Sequence, residues 1–196
     1  YCLPFNDFDA VEQCLNDHHG EIAALLVEPC LGNIVGIEPK DGFLQHLRNL
    51  CDKYNVVLIF DEVKTGFRLS NGGARETYEV IPDISTYAKS LGNGVPVAAF
   101  GGKSEVMNVI GGGSVAHAGT FGGNGVSMSA ANAVLDILNE APVLKELSIR
   151  GQKLKKGMDN ILDEVGIPHQ MCGHPNIQGF LITEHKVEEV RDLAYS

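Results

Sequence analysis

Two residues of the sequence could carry chemistry, because each lies where an apolar, strand-like segment ends. Asp61 directly follows the apolar run of residues 56–60, and Lys89 follows residues 85–87 and precedes a glycine-rich loop. Ligands of parallel sheets bind beyond the carboxyl ends of the strands, so both side chains are expected at one edge of a sheet. A carboxylate there needs a cationic partner, and a partly desolvated lysine offers a neutral amine that attacks carbonyl carbons.

A glycine-rich segment, residues 118–125, is a third candidate. It carries the hydroxyl of Thr120 and precedes a segment with a helical pattern. Glycine backbone, a hydroxyl and a helix N-terminus together suit an oxyanion such as phosphate. The segment has neither the Gly-Lys-Ser/Thr of a P-loop nor the G-x-G-x-x-G of a dinucleotide site. A flexible turn therefore stays open as the alternative. His117, two residues before Gly119, could approach the same site.

The elements that must position these residues alternate between helical and strand-like patterns. Apolar spacing predicts helices over residues 8–18, 40–54, 127–139 and 143–165, with a charged helix at 186–193. Strands are predicted over residues 22–28, 56–60, 85–87, 97–101 and 179–183. The strand at residues 22–28 is expected to be buried. Alternating strands and helices with short connections predict an α/β fold with a parallel sheet covered by helices.

Composition and charge exclude several classes of protein. The chain has 196 residues, of which 44% are hydrophobic, and a formal net charge of −10, which argues against a nucleic-acid partner. No apolar run approaches the roughly 18 residues of a membrane helix. The five cysteines are scattered and form no C-x-x-C pair, which favours free thiols in the cytoplasm over disulfides or a zinc site.

Six motifs occur in an order and spacing that resemble a known family. They are Val27-Glu28-Pro29 with Gly32-Asn33, Leu58-Ile59-Phe60-Asp61-Glu62-Val63, Thr65-Gly66-Phe67-Arg68, Pro82-Asp83-Ile84, Lys89 with Gly92 to Pro96, and Gly119-Thr120-Phe121. Together they resemble the class III, fold-type I aminotransferases that use pyridoxal 5′-phosphate (PLP), with the glutamate-1-semialdehyde aminomutases as the nearest branch. The resemblance implies a three-layer αβα large domain over residues 1–140, a connecting helix over 141–165 and the beginning of a smaller α+β domain over 166–196.

The resemblance also implies a role for each site residue. Lys89 is expected to hold PLP as a Schiff base and to move the proton at the substrate's α-carbon. Asp61 would pair with the pyridine nitrogen, Val63 would pack on the ring, and Asn33 would lie near the cofactor edge. Thr120 would bind the phosphate of the neighbouring subunit's cofactor, which implies a homodimer. No metal is implied.

The implied activity is transfer of an amino group on a small amino or keto substrate, by transamination or by the aminomutase reaction. Decarboxylases and racemases on the same scaffold share these motifs. The family's upstream phosphate cup and stacking aromatic residue do not occur in this sequence, so we expect a partial chain that is inactive alone. Two further alternatives are a catalytically silent fragment that serves as an interaction protein, and a nucleotide-binding α/β domain.

Overall fold

A four-stranded sheet forms the centre of the computed structural model, which describes residues 1–111 and 113–195. Its order is β1-β2-β3-β4, with β1, β2 and β3 parallel and β4 antiparallel to β3. The strands are β1 (Ala24–Val27), β2 (Val57–Asp61), β3 (Ile84–Tyr87) and β4 (Ala99–Gly102). The mostly parallel α/β fold expected from the sequence is therefore confirmed, and the parallel strands place their carboxyl ends at one edge.

Six helices accompany the sheet within the described residues. They are α1 (Phe8–His18), α2 (Phe43–Tyr54), α3 (Gly73–Thr77), α4 (Ser104–Gly111), α5 (Gly125–Glu140) and α6 (Val143–Glu164). Helix α1 begins after Asp7, whose Oδ1 accepts a hydrogen bond from the Ala10 amide at 3.0 Å, a normal N-cap. None of the helices in the described ranges is long and apolar enough to cross a bilayer.

The hydrophobic core lies between one face of the sheet and helices α1 and α2. Leu58 and Phe60 of β2 are fully buried there, together with Leu15 of α1 and Leu47 of α2. Side chains alternate between the faces of a strand, so the neighbouring positions point away from this core. Leu26 is accordingly 65% exposed. The expectation that residues 22–28 form a strand buried on both faces is therefore wrong, because α1 and α2 cover only one face.

The C-terminal segment contains a second sheet that the sequence pattern revealed only in part. Strand β5 (His169–Cys172) pairs antiparallel with β6 (Gly179–Ile182). The predicted charged helix over residues 186–193 is wrong; a 3-10 helix spans Val190–Tyr195 instead. The reason lies in Gln170, whose side-chain amide bonds both the N–H and the C=O of Val187 at 2.7 and 2.8 Å. Those backbone groups are thus unavailable to a helix.

Two loops join the C-terminal segment to the first part of the chain. The turn after β1 closes with an antiparallel bridge between Leu31 and Ile37 and lies against the backbone of residues 173–177. Asn6 makes a second link, since its Nδ2 donates to the carbonyls of Glu38 and Glu188 at 3.1 and 3.0 Å. The loop that carries Asn33 is therefore held from two sides.

His169 should make the stability of this region depend on pH. Its ring nitrogens contact the Ile167 carbonyl and Asp159 Oδ1, each at 3.0 Å, and these two acceptors raise its pKa, with Asp163 adding to the effect. The stabilisation is thus complete below the unfolded pKa of about 6.5 and is lost as the pH rises through the raised folded value. Urea unfolding between pH 6 and 9 measures this loss.

Two variants separate the pair from general charge effects. His169→Gln should flatten the pH dependence of stability. Asp163→Asn changes a charge on α6, the helix that also carries Asp159, without removing a hydrogen bond to the ring, so it should retain most of that dependence. An unchanged pH dependence in His169→Gln would contradict the assignment.

Candidate active site

Asp61 occupies the last position of β2 and points away from the α1–α2 core. Its Oδ1 accepts two hydrogen bonds, from the Val63 amide at 3.0 Å and from Thr86 Oγ1 at 3.3 Å. Among the described residues no hydrogen bond reaches Oδ2. The carboxylate is thus held in orientation by one oxygen while the other can accept from a cationic donor.

A row of side chains extends from Asp61 across the same face of the sheet. Asp61 is the register partner of Thr86, and Thr86 is the partner of Phe100 on β4. The ring of His117 packs edge-on against Phe100, with 5.1 Å between the ring centroids. His117 therefore does lie near the carboxyl edge of the sheet, as its place in the sequence suggested.

Lys89 lies at the same edge, two residues beyond the end of β3. It begins the 3-10 turn Lys89–Leu91 and has a φ of 43°, which is rare for a non-glycine residue and is concentrated at functional sites. Its carbonyl accepts the amides of Gly92 and Asn93, which fixes the turn. The side chain is exposed. The expectation that Lys89 is partly desolvated is therefore wrong for this chain, in which the side chain is exposed to solvent.

Thr120 lies in the exposed turn that precedes α5. The helix N-terminus itself is already satisfied, since Asn124 Oδ1 accepts the amides of Val126 and Ser127 at 3.0 and 3.3 Å. Those two amides are therefore not available to bind an oxyanion, contrary to the expectation for this N-terminus. The Thr120 hydroxyl and the glycine backbone remain as the groups that could bind one. Helix α5 packs against the Lys89 turn, and Ser127 Oγ donates to the Pro96 carbonyl at 2.7 Å.

The remaining candidates differ in how closely the chain brings them to Asp61. Val63 is half-buried and contacts Asp61 through its own amide. Asn33 is exposed in the turn after β1, at the same edge of the sheet. Within the described ranges no hydrogen bond joins Asn33 or Thr120 to Asp61 or Lys89. Asp61 and Val63 are thus in direct contact, whereas Lys89, Asn33 and Thr120 are all exposed.

Two polar residues that support the site were missed by sequence reasoning. Thr86 orients Asp61, but only the register of β3 against β2 shows that the two residues face each other. Glu62 is fully buried, and its Oε2 accepts the Ala74 amide at 2.6 Å. A signal for Thr86 did exist, since a hydroxyl residue stood at the carboxyl end of a strand beside the Asp61 strand.

These residues fit a planar, cationic heterocycle that carries an aldehyde better than they fit a metal. A carboxylate with one unoccupied oxygen suits a protonated ring nitrogen, and an exposed amine at the same edge suits a carbonyl carbon. In the part of the chain that the structure describes, no group of three or more His, Cys, Asp or Glu is placed to hold a metal ion. The arrangement is therefore consistent with the PLP site that the sequence resemblance implies.

Comparison with known proteins decides the family. The model of the family "Aminotransferase class-III" matches residues 5–194, nearly the whole chain. The chain belongs to the class-III aminotransferases. The resemblance inferred from six short motifs is therefore confirmed.

The relatives of this class-III aminotransferase chain are longer than the chain itself. It is 45% identical over 166 residues to a glutamate-1-semialdehyde 2,1-aminomutase of Thermodesulfovibrio yellowstonii, covering 84% of the chain and 39% of the relative. An ω-transaminase from Sphaerobacter thermophilus superposes with a TM-score of 0.90 at 34% identity, over 97% of the chain and 44% of that protein. A β-phenylalanine aminotransferase from Variovorax paradoxus gives 0.89 at 32% identity, over 99% and 45%. The chain thus spans about two-fifths of the relatives it matches.

Proposed function

We propose that this chain is the segment of a PLP-dependent class-III enzyme that carries the cofactor lysine, and that the whole protein transfers an amino group on a small amino or keto substrate. The observation that carries the proposal is the presence of Asp61 and Lys89 at one open edge of the sheet. Similar solved proteins support it: one at 27% identity is a transaminase with PLP bound, and one at 26% is a glutamate-1-semialdehyde aminomutase in complex with PMP. Transamination and the aminomutase reaction are both compatible with these residues.

Each residue has a definite task in this proposal. When bound, PLP supplies an electron sink for the bond that breaks at the substrate's α-carbon. Asp61 Oδ2 keeps a proton on the ring nitrogen, and Val63 N and Thr86 Oγ1 keep Asp61 in place. Lys89 Nζ would hold the cofactor, and its free amine would move the proton at the substrate's α-carbon. Val63 would lie against the ring, and Asn33 would border it.

A homodimer is the further part of the proposal. Phe121, next to Thr120, is 81% exposed, and Thr120 itself is exposed. A large apolar side chain on a solvated turn suits burial by a partner, and a second copy would gain the Thr120 hydroxyl for its cofactor phosphate. Sedimentation of the chain, with Phe121→Ser as the variant that should dissociate, measures the association.

The domain division and the location of the protein are also proposals. A separate two-stranded sheet after α6 supports a division into residues 1–140, a connecting helix over 141–165 and a smaller unit over 166–196. The five cysteines are free, which supports a reducing compartment such as the cytoplasm.

The test is covalent trapping of PLP. The purified chain is mixed with PLP, its absorption spectrum is recorded, the mixture is reduced with borohydride, and the modified peptide is identified by mass. An adduct concentrated on Lys89 supports the proposal. If the adduct is scattered over surface lysines or missing, the same experiment on the whole protein decides. Restoration of the Lys89 adduct there shows that the chain needs the rest of its fold, and failure there overturns the proposal.

Replacement of Asp61 by asparagine should weaken cofactor binding without unfolding the chain. Asparagine retains the shape and the Oδ1 acceptor but removes the negative charge that faces the ring nitrogen. A charge-assisted hydrogen bond contributes about 1.5–3 kcal/mol, so the PLP dissociation constant should rise about tenfold to a hundredfold. A titration followed by absorbance measures it, in whichever form of the protein gives the Lys89 adduct. Asp136→Asn makes the same charge change on exposed α5 and should leave the constant unchanged; equal constants for both variants would contradict the role of Asp61.

A further inference from the structure

Glu62 follows Asp61 in the chain, and its buried carboxyl group has no task in the proposed chemistry. Glu62 has no exposed surface. Its Oε2 accepts the Ala74 amide at 2.6 Å and the Thr65 hydroxyl at 3.3 Å, and Thr65 is also fully buried. Gly73 is tightly packed against the same oxygen: its φ is +68°, and any Cβ there would collide with Glu62 Oε2. The surroundings are therefore built around this carboxyl group.

The contacts favour an uncharged carboxylic acid. Oε1 is buried and has no hydrogen-bond partner among the described residues. The groups that face the carboxyl group are the amides of Ala74 and Arg75 and the hydroxyls of Thr65 and Ser85, none of which carries a charge. Burial raises the pKa of Glu62, and those hydrogen bonds offset only part of the effect. A buried carboxylate with one bare oxygen and no facing cation costs more than the neutral acid in the same place.

The backbone links Glu62 to the orientation of Asp61. The Glu62 carbonyl accepts the Gly66 amide at 2.9 Å, and the Thr65 carbonyl accepts the Arg68 and Leu69 amides. The turn therefore begins at Asp61, whose Oδ1 accepts the Val63 amide, and is anchored to α3 through the Glu62 side chain. Movement of Glu62 would displace the residues on both sides of it.

We propose that Glu62 is a positioning residue: a neutral carboxylic acid that ties the Asp61–Gly66 turn to the start of α3 and thereby holds the Asp61 carboxylate towards the cofactor. A neutral Glu62 also adds no second negative charge beside Asp61, so the attraction for a cationic ring nitrogen comes from Asp61. The part that concerns the cofactor rests on the proposed function. The part that concerns the turn and the protonation of Glu62 does not.

The first test needs no cofactor. Amide hydrogen exchange is measured in the chain itself, comparing Val63 with Leu58 in the core of the sheet. Glu62→Asp is one methylene too short to keep the Ala74 hydrogen bond, so exchange at Val63 and Ala74 should accelerate at least about tenfold relative to Leu58. Glu62→Gln, which copies the size and neutrality of the acid, should change Val63 by less than about threefold.

The control variant is Glu76→Gln. Glu76 Oε2 accepts the Gly72 amide at 2.8 Å, so this change removes a charge next to the start of α3 and leaves the Asp61 turn untouched. It should leave Val63 exchange as it is. Uniform acceleration of all amides in Glu62→Asp, Leu58 included, would mean a general loss of stability and would overturn the positioning role.

Infrared spectroscopy of the chain with ¹³C-labelled glutamate tests the protonation state. The carbonyl stretch of a protonated carboxylic acid should be present at pH 7 and should disappear in Glu62→Gln. Its absence from the parent at pH 7 would overturn the neutral assignment.

The effect of Glu62 on PLP binding is measured separately from the amide exchange and infrared tests. In the form of the protein that gives the Lys89 adduct, Glu62→Asp should raise the PLP dissociation constant at least about fivefold, while Glu62→Gln and Glu76→Gln should not. Failure of the Lys89 adduct in the parent refutes the proposed function and leaves the exchange and infrared results to decide the turn. Normal PLP affinity in Glu62→Asp refutes the inference and leaves the proposed function intact.

Discussion

Replacing Lys89 by alanine is expected to abolish the borohydride-stable PLP adduct and to lower amino transfer by the whole protein about 10²–10⁴-fold. The adduct requires a primary amine at that position, and proton transfer by a positioned side chain contributes a factor of this size. The fold should be unaffected, because Lys89 is exposed. The measurements are peptide mass after reduction and single-turnover kinetics of the whole protein.

Two further variants test whether Lys89 itself, and not its charge or another lysine, is required. Lys89→Arg retains the positive charge but cannot form the adduct, so it should behave like the alanine variant. Lys153→Ala removes an exposed lysine from α6 and should leave both the adduct and the rate unchanged. A persistent adduct in Lys89→Ala, at unchanged stoichiometry, would mean that another lysine carries the cofactor.

The elements that could be predicted are those whose apolar spacing is regular. Helix α2 buries Phe43, Leu44, Leu47 and Cys51, which recur at helical intervals in the sequence. Strand β5 gave no such signal, because His169 to Cys172 is only four residues long, with two polar and then two apolar side chains, and is stabilised by pairing with β6. The segment after β6 carries helical composition, but the Gln170 side chain occupies the backbone groups of Val187, a contact between residues 17 positions apart.

The candidate site, like the fold, could be predicted from the sequence only in part. Asp61 and Lys89 could be predicted because residues at the carboxyl ends of parallel strands meet at one edge. The roles of Thr86 and Glu62 were not predicted, because the contacts that define them depend on strand register and on packing between distant residues. The exposure of Lys89 was also unpredictable from local sequence, since burial depends on what the rest of the fold lays over that edge.

Replacing Asp83 by asparagine should lower the free energy of unfolding by about 3 kcal/mol, a large share of the 5–15 kcal/mol typical of a domain. Asp83 precedes β3 and is nearly buried. Its Oδ2 accepts Arg48 Nη1 at 2.8 Å and the Leu58 amide at 2.7 Å, and its Oδ1 lies 2.7 Å from Lys103 Nζ. The carboxylate thus joins α2, β2 and the segment after β4, and its loss leaves the Arg48 guanidinium buried without its main counterion.

Asp52 supplies the matched control, because it pairs with the same arginine at 2.7 Å but its side chain is 63% exposed against 11% for Asp83. Solvent screens such a pair, so Asp52→Asn should cost less than about 1 kcal/mol. Equal losses from the two variants in urea unfolding would contradict the argument that burial decides the difference.

The pH dependence of unfolding gives an independent check on Asp83. Burial alone would raise the pKa of its carboxyl group, but the hydrogen bonds from Lys103, the Leu58 amide and Arg48 outweigh it and hold the pKa below its usual value. The stabilisation is therefore complete above the unfolded pKa of about 3.9 and is lost as the pH falls through the lower folded value. Asp83→Asn should remove this acid-dependent loss of stability, whereas Asp52→Asn should retain it. Of these two carboxylates, Asp83 is the one that three donors hold inside the structure.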